Sequence, residues 1–256
     1  MHDIRYDAVH DEVFVTNPFA QAVLVFRGSA NGDEAPIRVI QGPRTQLKGS
    51  LYAGVDRLDV DPIHNEIFVP VRDAILVFPR EAKGDVAPIR VIKGPNTGIQ
   101  STQTVAVDAV HNLMVVGDTG AGGDPARNRL GVMTVSREEQ SSQPRDSRGS
   151  LRIFNRTDNG NIKPIRAIGG PKAGISSLTQ LQVSSPQGWI VMTGSGMVGI
   201  WSVFDDGNVP PRWKLDGPKS TLIRPRGVAL NPRNKELYVV DMRLNAVLTY
   251  SFPELY

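Results

Sequence analysis

Three of the four histidines, His10, His64 and His111, each stand three residues after an aspartate: Asp7, Asp61 and Asp108. Imidazole and carboxylate are both common metal ligands, so a shared ion is the first chemistry to weigh. The stretch "DVDPIHNE" (59–66) alternates acids as a calcium loop does. It lacks that loop's turn glycine and its terminal spacing. "GSGMVG" (194–199) fits G-x-G-x-x-G, which holds a pyrophosphate only where a helix begins after it. "NRT" (155–157) is a glycosylation sequon by pattern only. The chain has no G-x-S-x-G and no H-E-x-x-H. With no cysteine it has no disulfide, no thiolate ligand and no cysteine nucleophile. No catalytic residue is assigned from these motifs.

The elements that must position these residues are set by a repeat. "YDAVHDEVFV", "VDPIHNEIFV", "VDAVHNLMVV", "VSSPQGWIVM" and "LNPRNKELYV" align without gaps. Their turn residues Asp7, Asp61, Asp108, Ser184 and Asn231 are 54, 47, 76 and 47 residues apart. A second phrase recurs as "GDEAPIRVIQGP" (32–43), "GDVAPIRVIKGP" (84–95), "GNIKPIRAIGGP" (160–171) and "GNVPPRWKLDGP" (207–218). Each unit reads as four short β-rich runs bounded by Asp, Asn, Gly and Pro, and helical spacing never persists. The third run is predicted to end in a packing aromatic: Phe26, Phe78, Phe154, Phe204 and Tyr250.

Four-stranded units at this period predict an all-β chain folded as a β-propeller of about five blades. Blade limits fall at about 1–43, 44–95, 96–171, 172–218 and 219–256, with a long insert at about 117–149 in the third. "LGVMTV" (130–135) within it could form a short strand or flap. The last blade lacks the outer phrase. Three readings stand: a fragment of a larger, six-bladed or longer propeller, a ring whose last blade has three strands, or an open edge that pairs with another chain. In the fourth phrase "PPRWKL" replaces "APIRVI", and Trp213 is expected to cover a blade face that Arg90 leaves open.

On this fold the three histidines lie around a ring, about 10 Å or more apart if sheets pack face to face. One ion cannot bridge them, so they read as turn residues and no metal site is assigned. "GSGMVG" falls between two strands and reads as a hairpin turn. The channel entrance, where each blade's first strand begins, holds His2 and Asp3, Asp56 and Arg57, Gln103 and Thr104, Thr179 and Gln180, and Arg226 and Gly227. Unlike polar groups around one axis can read a small ligand. Asp3, Asp56, Arg57, Gln103, Thr104, Gln180 and Arg226 are the candidate binding residues.

"VALNPRNKELYVVDMRLNAVLTYSF" resembles an NHL-type blade. "TNPFAQAVLVFRG", "HNEIFVP", "ILVFPREAKGDVAPIRVI", "FNRTDNGNIKPIRAI" and "MRLNAVLTYSFPELY" together resemble a group of uncharacterised bacterial propeller proteins. That resemblance implies a non-catalytic binding scaffold without a cofactor, engaging protein, peptide or glycan through one face and the insert. The alternative is a calcium-dependent lactonase or esterase resembling the gluconolactonase and paraoxonase propellers, which hold calcium in the channel. Only Asp3 and Asp56 are acidic in the entrance pairs, and Glu12, Glu66 and Glu236 fall away from the channel mouth.

Bulk properties narrow the partners. The formal charge is +3, with no basic run of five, which argues against nucleic acid. No apolar run approaches the roughly 18 residues of a membrane span. The first residues show neither a basic nor an apolar leader segment. The compartment stays open: secreted or periplasmic if a leader has been removed, otherwise cytoplasmic.

Overall fold

The computed structural model describes residues 3–48, 55–120 and 149–256. His2, most of the insert and "LGVMTV" lie outside them. The first blade consists of β1 (Ile4–Asp7), β2 (Glu12–Asn17), β3 (Ala22–Arg27) and β4 (Arg38–Gln41). The second holds β5 (Asp59–Asp61), β6 (Glu66–Val71), β7 (Ala74–Pro79) and β8 (Arg90–Lys93). The third holds β9 (Thr102–Asp108), β10 (Leu113–Asp118), β11 (Ser150–Asn155) and β12 (Arg166–Gly169). The fourth holds β13 (Gln180–Ser184), β14 (Trp189–Gly194), β15 (Met197–Ser202) and β16 (Trp213–Leu215). The fifth has three strands, β17 (Pro225–Asn231), β18 (Glu236–Asp241) and β19 (Ala246–Ser251). Every sheet is an antiparallel meander in chain order. The chain is an all-β propeller of five blades whose last sheet is three-stranded.

Turn chemistry explains the recurrent Asp and His. The Asp7 carboxylate accepts from the backbone N–H of Val9 and His10, and that of Asp61 from Ile63 and His64. The other carboxylate oxygen meets the imidazole Nδ1 at 2.8 Å for His10, 2.7 Å for His64 and 2.8 Å for His111. Each histidine is thereby held in its own turn. "GSGMVG" is a two-residue hairpin turn between β14 and β15, with Ser195 and Gly196 both at positive φ.

The core sits between blades. Four apolar clusters occupy the four junctions, for example Phe14, Val23, Val25, Leu58, Ile67 and Phe78 between blades 1 and 2. A middle blade is covered on both faces, so β6 and β7 are buried almost throughout. Among the described residues only one face of blade 5 is covered, and β19 alternates half-buried and exposed residues. The leading face of blade 1 is likewise open, with Ile4 and Tyr6 exposed.

Polar clamps mark the outer edge of two junctions. Glu12 takes a bidentate bond from Arg38 at 2.7 and 2.8 Å and a third from Arg80 of blade 2. Glu66 does the same with Arg90 and, from blade 3, Arg156. Burial acts to raise both carboxyls, but the guanidinium groups outweigh it and hold them below the usual range. Between blades 4 and 5 the equivalent trio is Trp189, Trp213 and Phe252, packed edge to face with centroids 4.9 and 6.0 Å apart. Trp213 thus covers the face as expected. The expectation about Arg90 is corrected: it closes its own face by an ionic bond.

A second correction concerns the packing aromatics. In blade 4 the residue in register with Phe78 and Phe154 is Trp201, fully buried, and not Phe204. Phe204 lies beyond β15, is about half exposed, and stacks against His111 and Arg166.

The recurrent phrase stitches the rim. Gly84 donates to the Val39 carbonyl at 2.7 Å, and its own carbonyl accepts from Gln41. Asp85 then accepts from the Arg44 N–H at the turn that follows the first phrase. Gly160 with Asn161, and Gly207 with Asn208, repeat this on the next two blades. Each copy binds the copy before it, which is why the same residues recur.

Candidate functional site: the axial entrance

The first strands of the blades converge at the axis, where side chains from blades 1, 2 and 4 meet. Arg5 is the pin. Its Nε donates to the Leu58 carbonyl at 3.0 Å and an Nη to the Leu181 carbonyl at 3.1 Å. The Gln182 side-chain oxygen, turned as its neighbours demand, accepts from the same guanidinium. Two carboxylates flank it: Asp59 at 3.5 Å and Asp3 at 3.7 Å.

Both acids carry the mark of burial. Desolvation pushes Asp3 up to about 6, against the pull of Arg5 and Arg57. Desolvation also raises Asp59, despite Arg5 and backbone N–H bonds from Val107 and Val60. Asp3 Oδ1 accepts from Gln180 at 3.3 Å, while Oδ2 is buried without a hydrogen-bond partner.

The remaining entrance residues divide into fasteners and cleft walls. Thr104 Oγ1 accepts from the Leu181 N–H at 3.0 Å, and Gln180 Oε1 from that of Val228 at 2.9 Å. The Gln103 carbonyl accepts from the Arg57 N–H at 3.0 Å. Thr179 bonds Thr193. Thr104, Gln180 and Gln103 thus hold neighbouring blades in register, whereas the Thr179 bond lies within blade 4. Arg57 pairs with Asp56 at 3.2 Å. Arg57 and Arg226, from blades 2 and 5, together line an open cleft of about 570 Å3. Its other walls are Val240, Asp241, Met242, Asn245, Ala246 and Val247. Asp241 is fully buried, which would raise its carboxyl, but the backbone N–H groups of Ile223, Arg224, Leu244 and Arg243 hold it low. It builds the rim of the cleft rather than offering a free charge.

The structure therefore brings Asp3 to Gln180, Asp56 to Arg57, and Arg57 to the cleft of Arg226. It uses Thr104 and Gln103 as inter-blade fasteners. Arg5, Asp59 and Gln182 were missed, although they are entrance-facing by simple alternation, two residues along strands whose first residues had been chosen. Among the described residues no group of three His, Cys, Asp or Glu comes together. Among the described residues the acids nearest the axis each face a guanidinium, and that set of donors does not fit a calcium ion.

No family model matches the chain, and no curated protein matches it. Solved structures do. A chain in "Crystal structure of Nidogen/Laminin Complex" superposes with a TM-score of 0.61 at 15% identity, over 99% of this chain and 76% of that one. That neighbour is a β-propeller, and the likeness is one of fold. No helix among the described residues is long and apolar enough to cross a membrane.

Proposed function

We propose that this chain is a binding propeller that holds an acidic protein or peptide segment in the axial cleft between Arg57 and Arg226. The observation that carries the reading is the pairing of two guanidinium groups from separate blades with an exposed apolar wall, Val240, Met242 and Val247. Guanidinium forks suit carboxylates, and exposed valine and methionine suit apolar side chains beside them. Among the described residues that line the cleft there is no aromatic platform of the kind that would favour a glycan. The structural neighbour was solved in a protein complex, which supports a protein partner. The stretch "VALNPRNKELYVVDMRLNAVLTYSF" supports an NHL-type reading, and phrases such as "ILVFPREAKGDVAPIRVI" support a kinship with bacterial propellers.

The test is an array of peptides graded in acidic content, read with the wild-type chain and with Arg57→Glu/Arg226→Glu. Acidic sequences with neighbouring apolar residues are expected to be retained. The double variant should weaken them at least about tenfold, read on protein whose circular dichroism shows the propeller still folded. If acidic peptides are not selected, or the double variant binds them equally well, the reading fails.

A further inference from the structure

In blades 1 to 4 the third strand is covered by a fourth that carries the repeat phrase. The pairing is constant: Val25 opposite Arg38, Val77 opposite Arg90, Ile153 opposite Arg166 and Ile200 opposite Trp213. Two residues along, Val23 pairs with Ile40, Ile75 with Ile92 and Leu151 with Ile168, all fully buried. In blades 1 and 2 the arginine of that fourth strand turns onto Glu12 or Glu66.

Blade 5 keeps the receiving half of this arrangement. Among the described residues β19 pairs with β18 alone. Thr249 stands at the place of Val77, and Val247 at the place of Ile75. Val247 is 65% exposed, whereas Val23, Ile75, Leu151 and Val198 are fully buried. Glu236 stands in register with Glu12 and Glu66. Its carboxylate is held by neutral donors, Tyr238 at 2.7 Å, Asn231 at 3.1 Å and Asn234 at 3.3 Å. An acid, an apolar residue and an open strand edge thus sit at the spacing that receives arginine, isoleucine and backbone elsewhere in the molecule.

We propose that the β19 edge docks an extended peptide strand of the type Pro-Ile-Arg-Val-Ile. It runs antiparallel to β19, its arginine on Glu236 and its last isoleucine over Val247. Edge pairing supplies the backbone bonds, and the acid and the apolar residue supply selectivity. The occupant is set by charge complementarity to Glu236 and by the strands that fill this position in the other blades. This docking shares Val247 with the wall of the axial cleft and goes beyond it, since the strand runs along the rim side of β19 and its arginine meets Glu236, which does not line the cleft.

The experiment uses the full chain and a labelled synthetic peptide of the second phrase, GDVAPIRVIKGP. Fluorescence anisotropy should show saturable one-to-one binding. Replacing the peptide arginine by glutamine, or Glu236→Gln in the protein, should weaken it at least about tenfold, because each leaves one charged partner without its counter-charge. The peptide change cannot disturb folding of the chain. Arg57→Glu/Arg226→Glu leaves the β19 edge and Glu236 in place, so saturable binding that depends on the peptide arginine and on Glu236 should persist, which distinguishes this docking from capture in the cleft. The proposal is overturned if the folded chain shows no saturable binding, or if binding is indifferent to the arginine and to Glu236. Sedimentation showing dimers joined through β19, and displaced by no peptide, would give the edge to a second copy and overturn it as well.

Discussion

Arg5 carries the axial arrangement at the scale of single residues. One guanidinium joins carbonyls of blades 2 and 4 while lying between Asp3 and Asp59. Asp3 shows what the arrangement costs. Its side chain is only 6% exposed, and its carboxyl rises from 3.8 to about 6. The folded protein therefore holds a proton that the unfolded chain releases. This contribution is full below pH 3.8 and is lost as pH rises through about 6. Asp3→Asn, which mimics the protonated acid, should stabilise the chain at pH 8 by about 3 kcal/mol. The gain should close by pH 4. Thermal melts at the two values check this, and an equal effect at both would refute it.

Among the elements, β15 is buried at every residue. Trp201 is wholly buried at the junction of blades 3 and 4, and its ring lies over Gly199 two residues earlier. A Cβ on Gly199 would fall 2.4 Å from the Trp201 ring. The glycine is thus a consequence of the tryptophan. Gly199→Ala should destabilise by about 1–3 kcal/mol, the range for overpacking, measurable by urea titration. Wild-type stability would show that the ring can shift at little cost. The same strand explains the misplaced aromatic. "MVGIWSVF" offers two aromatics, and repeat alignment alone selects Phe204 as readily as Trp201. Counting from the "SG" hairpin turn selects Trp201, since each third strand places its aromatic fifth.

Across the whole molecule, burial is uneven. Among the described residues, blades 2 to 4 are covered on both faces, whereas blades 1 and 5 each present one open face. Repeat stability is close to a sum of unit and neighbour terms, so a unit with one neighbour opens more readily. Amides of β1 and β19 should exchange hydrogen before those of β6, β10 and β14. Exchange mapped by mass spectrometry checks it, and uniform protection across the five sheets would contradict it. Peptide bound at β19 should slow the fifth blade selectively, linking this gradient to the docking strand.

The sequence by itself determined the blades, their order and their turns. Those depend on short-range chemistry: Asp or Asn bonding the backbone two residues on, glycine at positive φ, and apolar runs of strand length. It also placed Asp3, Arg57, Gln180 and Arg226 at or just before the first strands of their blades, but not Arg5, Asp59 or Gln182 beside them. Only the tertiary structure decided which of those residues meet. Arg5 and Leu181 are 176 residues apart, and no local pattern couples them. It also decided that Glu66 is a clamp between blades, that Asp56 and Arg57 are a pair, and that Arg57 shares a cleft with Arg226. Side chains at equivalent repeat positions look alike along the chain. Their partners are chosen by the packing of one sheet on the next, through distances that the repeat spacing does not contain.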